Sequence, residues 1–328
     1  MNEKKLLLKN FTGGSRSYIS CLYSLLTSAG LYSMPKYMLS GMTGMLFKFI
    51  IHSRLLPSSL DMYRWQWENW HAVNILGIYN ETYAGSPLDA TLPLYRKQLL
   101  HKIKSSVDEG RAAVGWGSER PQFCLYTGYN DEDQVLFYRD SPNQEEEVLL
   151  YENFGLAEEG DWFVQIIGGK IEKDIRDVFR ESLEEAVREW HSVYKMKPEY
   201  GSGKKAYQNL LDAFQSGDFN YNGAYYMLKP YLNSKMDIAR YMDEVIKEIP
   251  ELSAAAELYR RMAEALLPLR AVRLTGIPEK DKGLIPEAIG CFRAAMLLED
   301  NAVNEIEKYL RDYMHNRSVN PARLKELY

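Results

Sequence analysis

The sequence predicts an α+β fold: an N-terminal domain in which an antiparallel sheet packs on helices, followed by an all-α C-terminal domain. Three observations carry this expectation. Strand-like runs, Gly-rich turns and five of the six tryptophans fall before Gly168-Gly169. After that pair, apolar residues recur at helical spacing almost without interruption. Within the first part, helical stretches come first and strands follow, which separates α+β from the alternating α/β class. The 328 residues suffice for two ordinary domains, and the sequence divides into 1–168 and 169–328.

The elements follow in order. Ser17 to Ala29 reads as a helix, opened by a Gly13-Gly14-Ser15 turn and stopped by Gly30. A second helix is expected over Pro35 to Ser40, before the Gly41-Met42-Thr43-Gly44 turn. Phe47 to Ile51 is either a buried strand or the start of a helix. Trp65-Gln66-Trp67-Glu68-Asn69-Trp70-His71 reads as an aromatic loop. Leu94 to Glu109 is a helix with Leu99, Leu100, Ile103 and Val107 on one face. Strands at Ala112–Trp116, Gln122–Tyr129, Gln134–Arg139, Glu147–Tyr151 and Asp161–Ile167 complete an antiparallel sheet, with Asn130 to Asp133 as a hairpin turn. Helical stripes then cover Lys173–Tyr194, Lys204–Gln215, Tyr221–Leu232, Met236–Ile249, Ser253–Thr275 and Pro286–Met314. Pro198, Gly217, Pro230, Pro250 and Pro278 punctuate them. No fixed repeat period is present, which argues against a solenoid.

Composition narrows the function classes. Hydrophobic residues at 46% and charged residues at 26% are those of a globular protein. A net charge of -5 argues against a nucleic-acid partner, because phosphate contacts need a surplus of Lys and Arg. Three cysteines at wide spacing, Cys21, Cys124 and Cys291, argue against a disulfide framework and for a reducing, cytoplasmic setting. The only apolar run near the start is Leu6 to Leu8, too short for a signal sequence, and no stretch of about 18 apolar residues suggests a membrane span.

Residues that could carry chemistry are few. Cys21 lies near the start of the first helix, where the helix dipole would lower a thiol pKa, but a core position one turn in is the stronger reading. Cys124, inside a strand, reads as packing. None of His52, His71, His101, His191 and His315 is well placed as a base; His71, among tryptophans, is the one that could line a cleft. No two His or Cys residues stand at metal-ligand spacing, so neither a metal nor another cofactor is expected. The Gly13 and Gly41 turns lack the Gly-Lys-Ser/Thr ending of a phosphate loop. Acidic runs such as Glu145-Glu146-Glu147 read as solvated faces.

One resemblance ties these pieces together. The Ser17–Gly30 helix ending Ser-Ala-Gly, then Leu39-Ser40-Gly41-Met42-Thr43-Gly44, the helix closing in Glu109-Gly110, Val114-Gly115-Trp116 and Pro121-Gln122-Phe123…Thr127-Gly128-Tyr129 occur in that order. Together they resemble the N-terminal domain family of butirosin biosynthesis protein H, which is related to bacteriocin-processing (double-glycine leader) peptidases and has a papain-like fold. The resemblance spans about residues 8–168, and 169–328 looks like a helical region found in similar bacterial proteins. It implies a nucleophile position at Ser17, a base position at Gln122 and an orienter position at Asp140, with no counterpart of the oxyanion-hole Gln in Asn10 to Gly14. Gln cannot accept and return a proton at neutral pH, so the resemblance implies a degenerate scaffold.

The expected function is therefore a catalytically inactive papain-like protein that binds a small molecule or peptide in a bacterial biosynthetic pathway. Its cleft is expected to be lined by Ser17, Cys21, Trp116, Glu119, Gln122 and Asp140 and capped by the Trp65–His71 loop. The alternative is an acyltransferase or amide hydrolase acting on a carrier-protein thioester or peptide through Cys21 or Ser17, with His71 or Glu119 as base. A purely structural, partner-binding role in such a pathway stays open as well.

Overall fold

Apolar residues at helical spacing along 17–28 and 92–108 make the two helices that cover opposite faces of the main sheet. This arrangement is seen in a computed structural model that describes residues 3–13, 16–116, 120–141, 145–156, 160–271 and 275–319. The chain forms two units, Met1–Thr43 with Tyr63–Lys173, and Gly44–Met62 with Asp174–Tyr328.

In the first unit, β1 (Glu3–Lys5) precedes α1 (Ser17–Ser28) and α2 (Lys36–Met42). After the excursion into the second unit come α3 (Trp65–Ile75), β3 (Ile78–Gly85) and α4 (Leu92–Asp108). The strands β4 (Ala113–Trp116), β5 (Phe123–Asn130), β6 (Val135–Arg139), β7 (Glu147–Leu150) and β8 (Trp162–Lys170) follow. The sheet runs β3-β8-β4-β5-β6-β7, antiparallel between neighbours, and β1 adds to β5. Successive strand residues point to opposite faces. Cys124, Tyr126, Val164 and Ala113 therefore meet Leu99, Leu100, Ile103 and Val107 of α4 in one buried cluster. On the other face Phe123 packs against Tyr18 of α1 and Trp65 of α3.

Two sequence expectations for this unit are corrected. The Trp65–His71 stretch is not a loop but the first turns of α3. The buried residues of α3, Asn69, Ala72, Val73 and Ile75, supply the inner face, and the dense aromatic run at its start had hidden that periodicity. The sheet also contains β1 and β3, which were not expected. In β3 only Ile78 and Asn80 are buried, so the run reads as polar although it pairs along its length with β8.

The second unit is not all-helical. Ile50–His52 (β2) pairs with Lys197–Ser202 (β10), which pairs with Tyr194–Lys195 (β9). Strands of one sheet thus come from both sides of the expected 168/169 boundary, and Gly44–Met62 belongs with the C-terminal segment. The helices are α5 (Ile175–His191), α6 (Gly203–Ser216), α7 (Tyr221–Glu248), α8 (Ser253–Ala271), α9 (Pro278–Asp281) and α10 (Ile285–Val319). Hydrogen bonds explain why β2 is captured. Tyr231 of α7 donates to Ser59 O (2.9 Å) and accepts from Ile50 N (3.2 Å), and Asn209 Nδ2 of α6 donates to Ile51 O (2.9 Å). Pro198 punctuates the helical stripes in the sequence, yet it lies within β10, and Gly201 of the same strand lies so close beneath α6 that a Cβ would sit 2.8 Å from Lys205 O. Pro230 does not end a helix either; α7 runs through it. An interior proline costs about 3 kcal/mol. Met227, Leu228, Tyr231 and Leu232 on either side are buried, at about 1.5–3 kcal/mol for each large apolar side chain.

Candidate functional site

Ser17 is the first residue of α1, after Arg16 in extended conformation, and no side chain caps this end. Tyr18, Ile19, Leu22, Leu25 and Leu26 are buried, which fixes the helix against the sheet and leaves Ser17 half-buried at the start of β5. There its Oγ accepts the Phe123 N–H at 3.2 Å. Gln122, half-buried, is the neighbour of that donor, so the structure brings Ser17 next to the base position implied by the resemblance.

Phe123 is the hub of an aromatic group. Its ring lies edge-on to Tyr18 (5.2 Å), Trp65 (5.3 Å), Trp116 (5.0 Å) and Phe163 (5.6 Å), and Trp65 stacks on Trp116 at 4.3 Å. Contacts of this geometry add about 0.5–1.5 kcal/mol each beyond burial. The Trp116 ring is thereby packed against Trp65 and Phe123. Below the rings, Tyr18 Oη donates to Gln165 Oε1 (2.9 Å), and Gln165 Nε2 donates to Asn80 Oδ1 (2.9 Å) and Asn69 O (3.1 Å). This buried network ties α1, α3, β3 and β8 together; in the sequence Gln165 is a lone polar residue among Phe163, Val164 and Ile166.

Asp140 follows the last residue of β6, and its side chain is 1% exposed. Neither carboxylate oxygen accepts a hydrogen bond from a described residue. Its charge is balanced by Arg120 Nε at 3.2 Å, and the same guanidinium pairs with Glu147. Glu147 also accepts from Tyr138 Oη (2.6 Å). The orienter position is thus held in a structural ion-pair cluster. Sequence reasoning missed Arg120; the signal was a lone Arg two residues before the expected base position.

Cys21 lies one turn into α1 and has no exposed surface. Burial pushes its thiol well above the usual range, and Cys124 and the Asp140 carboxylate push it the same way. Cys124 is equally buried and is also pushed up, first by burial and then by Asp140. Neither is a thiolate at neutral pH, which is the form that reacts.

His71 does not join this group. It lies on α3 six residues after Trp65, about 120° round the helix axis. Its ring is parallel to that of Trp67, 6.3 Å away, and Trp67 is 56% exposed. His101 is exposed on α4. Glu119 lies outside the described residues. Among the described residues no three His, Cys, Asp or Glu side chains gather as a metal-ligand set, and no helix is long and apolar enough to cross a membrane.

The arrangement joins a helix N-terminus, a serine hydroxyl and a strand end, as a hydrolase site would. The imidazole and thiolate that would make it reactive are not assembled there by the described residues. Compared with known proteins, the chain matches no protein-family model and no curated sequence.

Proposed function

We propose that the first unit is a degenerate papain-like scaffold, catalytically inactive, that serves a biosynthetic pathway by binding a peptide or small molecule. The observation that supports this most is the state of Ser17. Its Oγ accepts a backbone N–H from Phe123, beside a Gln that cannot shuttle a proton, while Asp140 is ion-paired with Arg120. The acyltransferase alternative needs a thiolate at Cys21, and burial opposes one there. It otherwise needs a base for Ser17, whereas His71 stands with Trp67.

The test is chemical labelling of the folded protein with a fluorophosphonate and with iodoacetamide, read by peptide mass spectrometry. No adduct at Ser17 or Cys21 is expected. A stoichiometric adduct at either, with thioester or ester hydrolysis lost in Ser17→Ala or Cys21→Ala, would refute the reading. A peptide ending in Gly-Gly is the first ligand to titrate, with saturable binding weakened by Gln122→Arg as the supporting result.

A further inference from the structure

One concavity is lined by none of Ser17, Cys21, Trp116, Gln122 and Asp140. It is an open cleft of about 380 Å3 between α4 and the β8 strand, within the size range of small-molecule sites. From α4 it takes Gln98, His101, Lys102 and Ser105, and from its C-cap Glu109, which recur at three- and four-residue spacing and form one polar stripe beside the core face. Ile166, on the α4 side of β8, supplies an apolar wall; Ile167, whose side chain points to the opposite face, contributes its backbone, and Arg111 also lines the cleft.

Its charged groups are paired but not saturated. Glu81 on β3, directly across from Ile166, is the anchor of the wall. Its carboxylate accepts from Tyr79 Oη (3.0 Å), from Tyr83 Oη and from Lys102 Nζ (2.8 Å). That leaves it little capacity for another donor. Lys102, held by Glu81, keeps an ammonium N–H for the cleft. Arg111 is fixed by Nε donating to Ile167 O (3.0 Å) and by a pair with Glu109, which neutralises that carboxylate at the cleft. The remaining guanidinium N–H groups, with Gln98, His101 and Ser105, have no partner among the described residues. Lys102 and Arg111, each with its carboxylate neutralised, thus keep N–H groups that no described residue takes, and one wall is aliphatic.

We propose that this cleft binds a small organic acid. Its apolar carbons lie on Ile166, and its anionic group, a carboxylate or a phosphate monoester, takes the hydrogen bonds of Lys102 and Arg111. The proposal does not depend on the papain-like reading of the Ser17 region.

Isothermal titration of the full-length protein with benzoate, phenyl phosphate and benzyl alcohol tests it, and the first two separate the two anion chemistries. Saturable binding of at least one anion is expected, with benzyl alcohol weaker by about tenfold, a charge-assisted hydrogen bond's worth. Lys102→Gln should weaken the anion by on the order of fivefold, the upper range for an exposed ion pair. Ser105→Asp, a helix-compatible change that places a negative charge in the cleft, should weaken it at least as much and decides the matter if Lys102→Gln fails to fold. Lys104→Gln removes a charge from α4 at its Asp131 pair, outside the cleft, and should leave the affinity unchanged. No saturable binding of either anion, equal binding of benzyl alcohol, affinity unchanged in both cleft variants, or equal weakening in all three variants would each overturn the proposal.

Discussion

Replacing Lys235 with Met tests how the second unit tolerates charge in its interior. Lys235 on α7 and Glu299 on α10 are each 4% exposed at the side chain. The ammonium meets both carboxylate oxygens, at 2.7 and 2.6 Å, and Tyr207 Oη donates to the same carboxylate at 2.7 Å. Lys235 Nζ also stands 4.5 Å from the centre of the Phe49 ring. Lys235→Met keeps the packing volume but strands Glu299 with the tyrosine alone. Breaking a buried pair from one side costs about 3–5 kcal/mol, and the retained Tyr207 bond places the expected loss near the lower end, about 3 kcal/mol. Lys235→Met with Glu299→Leu removes both charges. Its main cost is then an unsatisfied Tyr207 hydroxyl, about 1–3 kcal/mol. The double variant should thus be no less stable than Lys235→Met alone, with a coupling energy of about 2 kcal/mol or more in the cycle. Urea unfolding of wild type, both single variants and the double variant measures this. A Lys235→Met loss below about 1 kcal/mol, or single-variant losses that simply add in the double, would refute the reasoning.

Three further outcomes are expected. With a disulfide reagent on the folded protein, half-buried Cys291 should react ahead of Cys21 and Cys124, which should react only on unfolding; early modification of Cys21 would count against its core position. Glu81 is held at about 2 against an ordinary 4.5, chiefly by the Lys102 hydrogen bond and then by that of Tyr83. A depressed carboxylate stabilises the fold above its unfolded pKa and loses that contribution as pH falls through 4.5 toward about 2. The stability gap between wild type and Glu81→Gln, held to about 1 kcal/mol or less by solvent screening, should therefore narrow from pH 6 to pH 3, and a constant gap would contradict the assignment. Gly128→Ala would set a Cβ 2.3 Å from Lys4 O of β1, so a loss of about 1–3 kcal/mol and faster proteolysis near the N-terminus are expected; an unchanged melting temperature would show that β1 yields without cost.

Local patterning by itself determined the α+β character of the first part and most of its elements. Ser17–Ser28, Leu92–Asp108 and β4 to β8 fall within a few residues of their expected positions, because α4 buries one face and carries its period in the sequence, while β4 to β6, covered on both faces, are short apolar runs bounded by turn residues. The core place of Cys21 was legible for the same reason. Tertiary structure alone decided what depends on partners distant in the chain. Ile50–His52 becomes a strand because β10, Asn209 and Tyr231 satisfy its backbone, and those groups lie about 150 to 180 residues away. α7 passes through Pro230 because burial on both sides outweighs one lost hydrogen bond. Around Ser17 the sequence brought the serine, Gln122 and Asp140 to one end of the sheet, but side-chain pairing is set by approach in space. Arg120 with Asp140, Trp65 on Trp116 and Lys102 with Glu81 each join separate elements, and no periodicity encodes them.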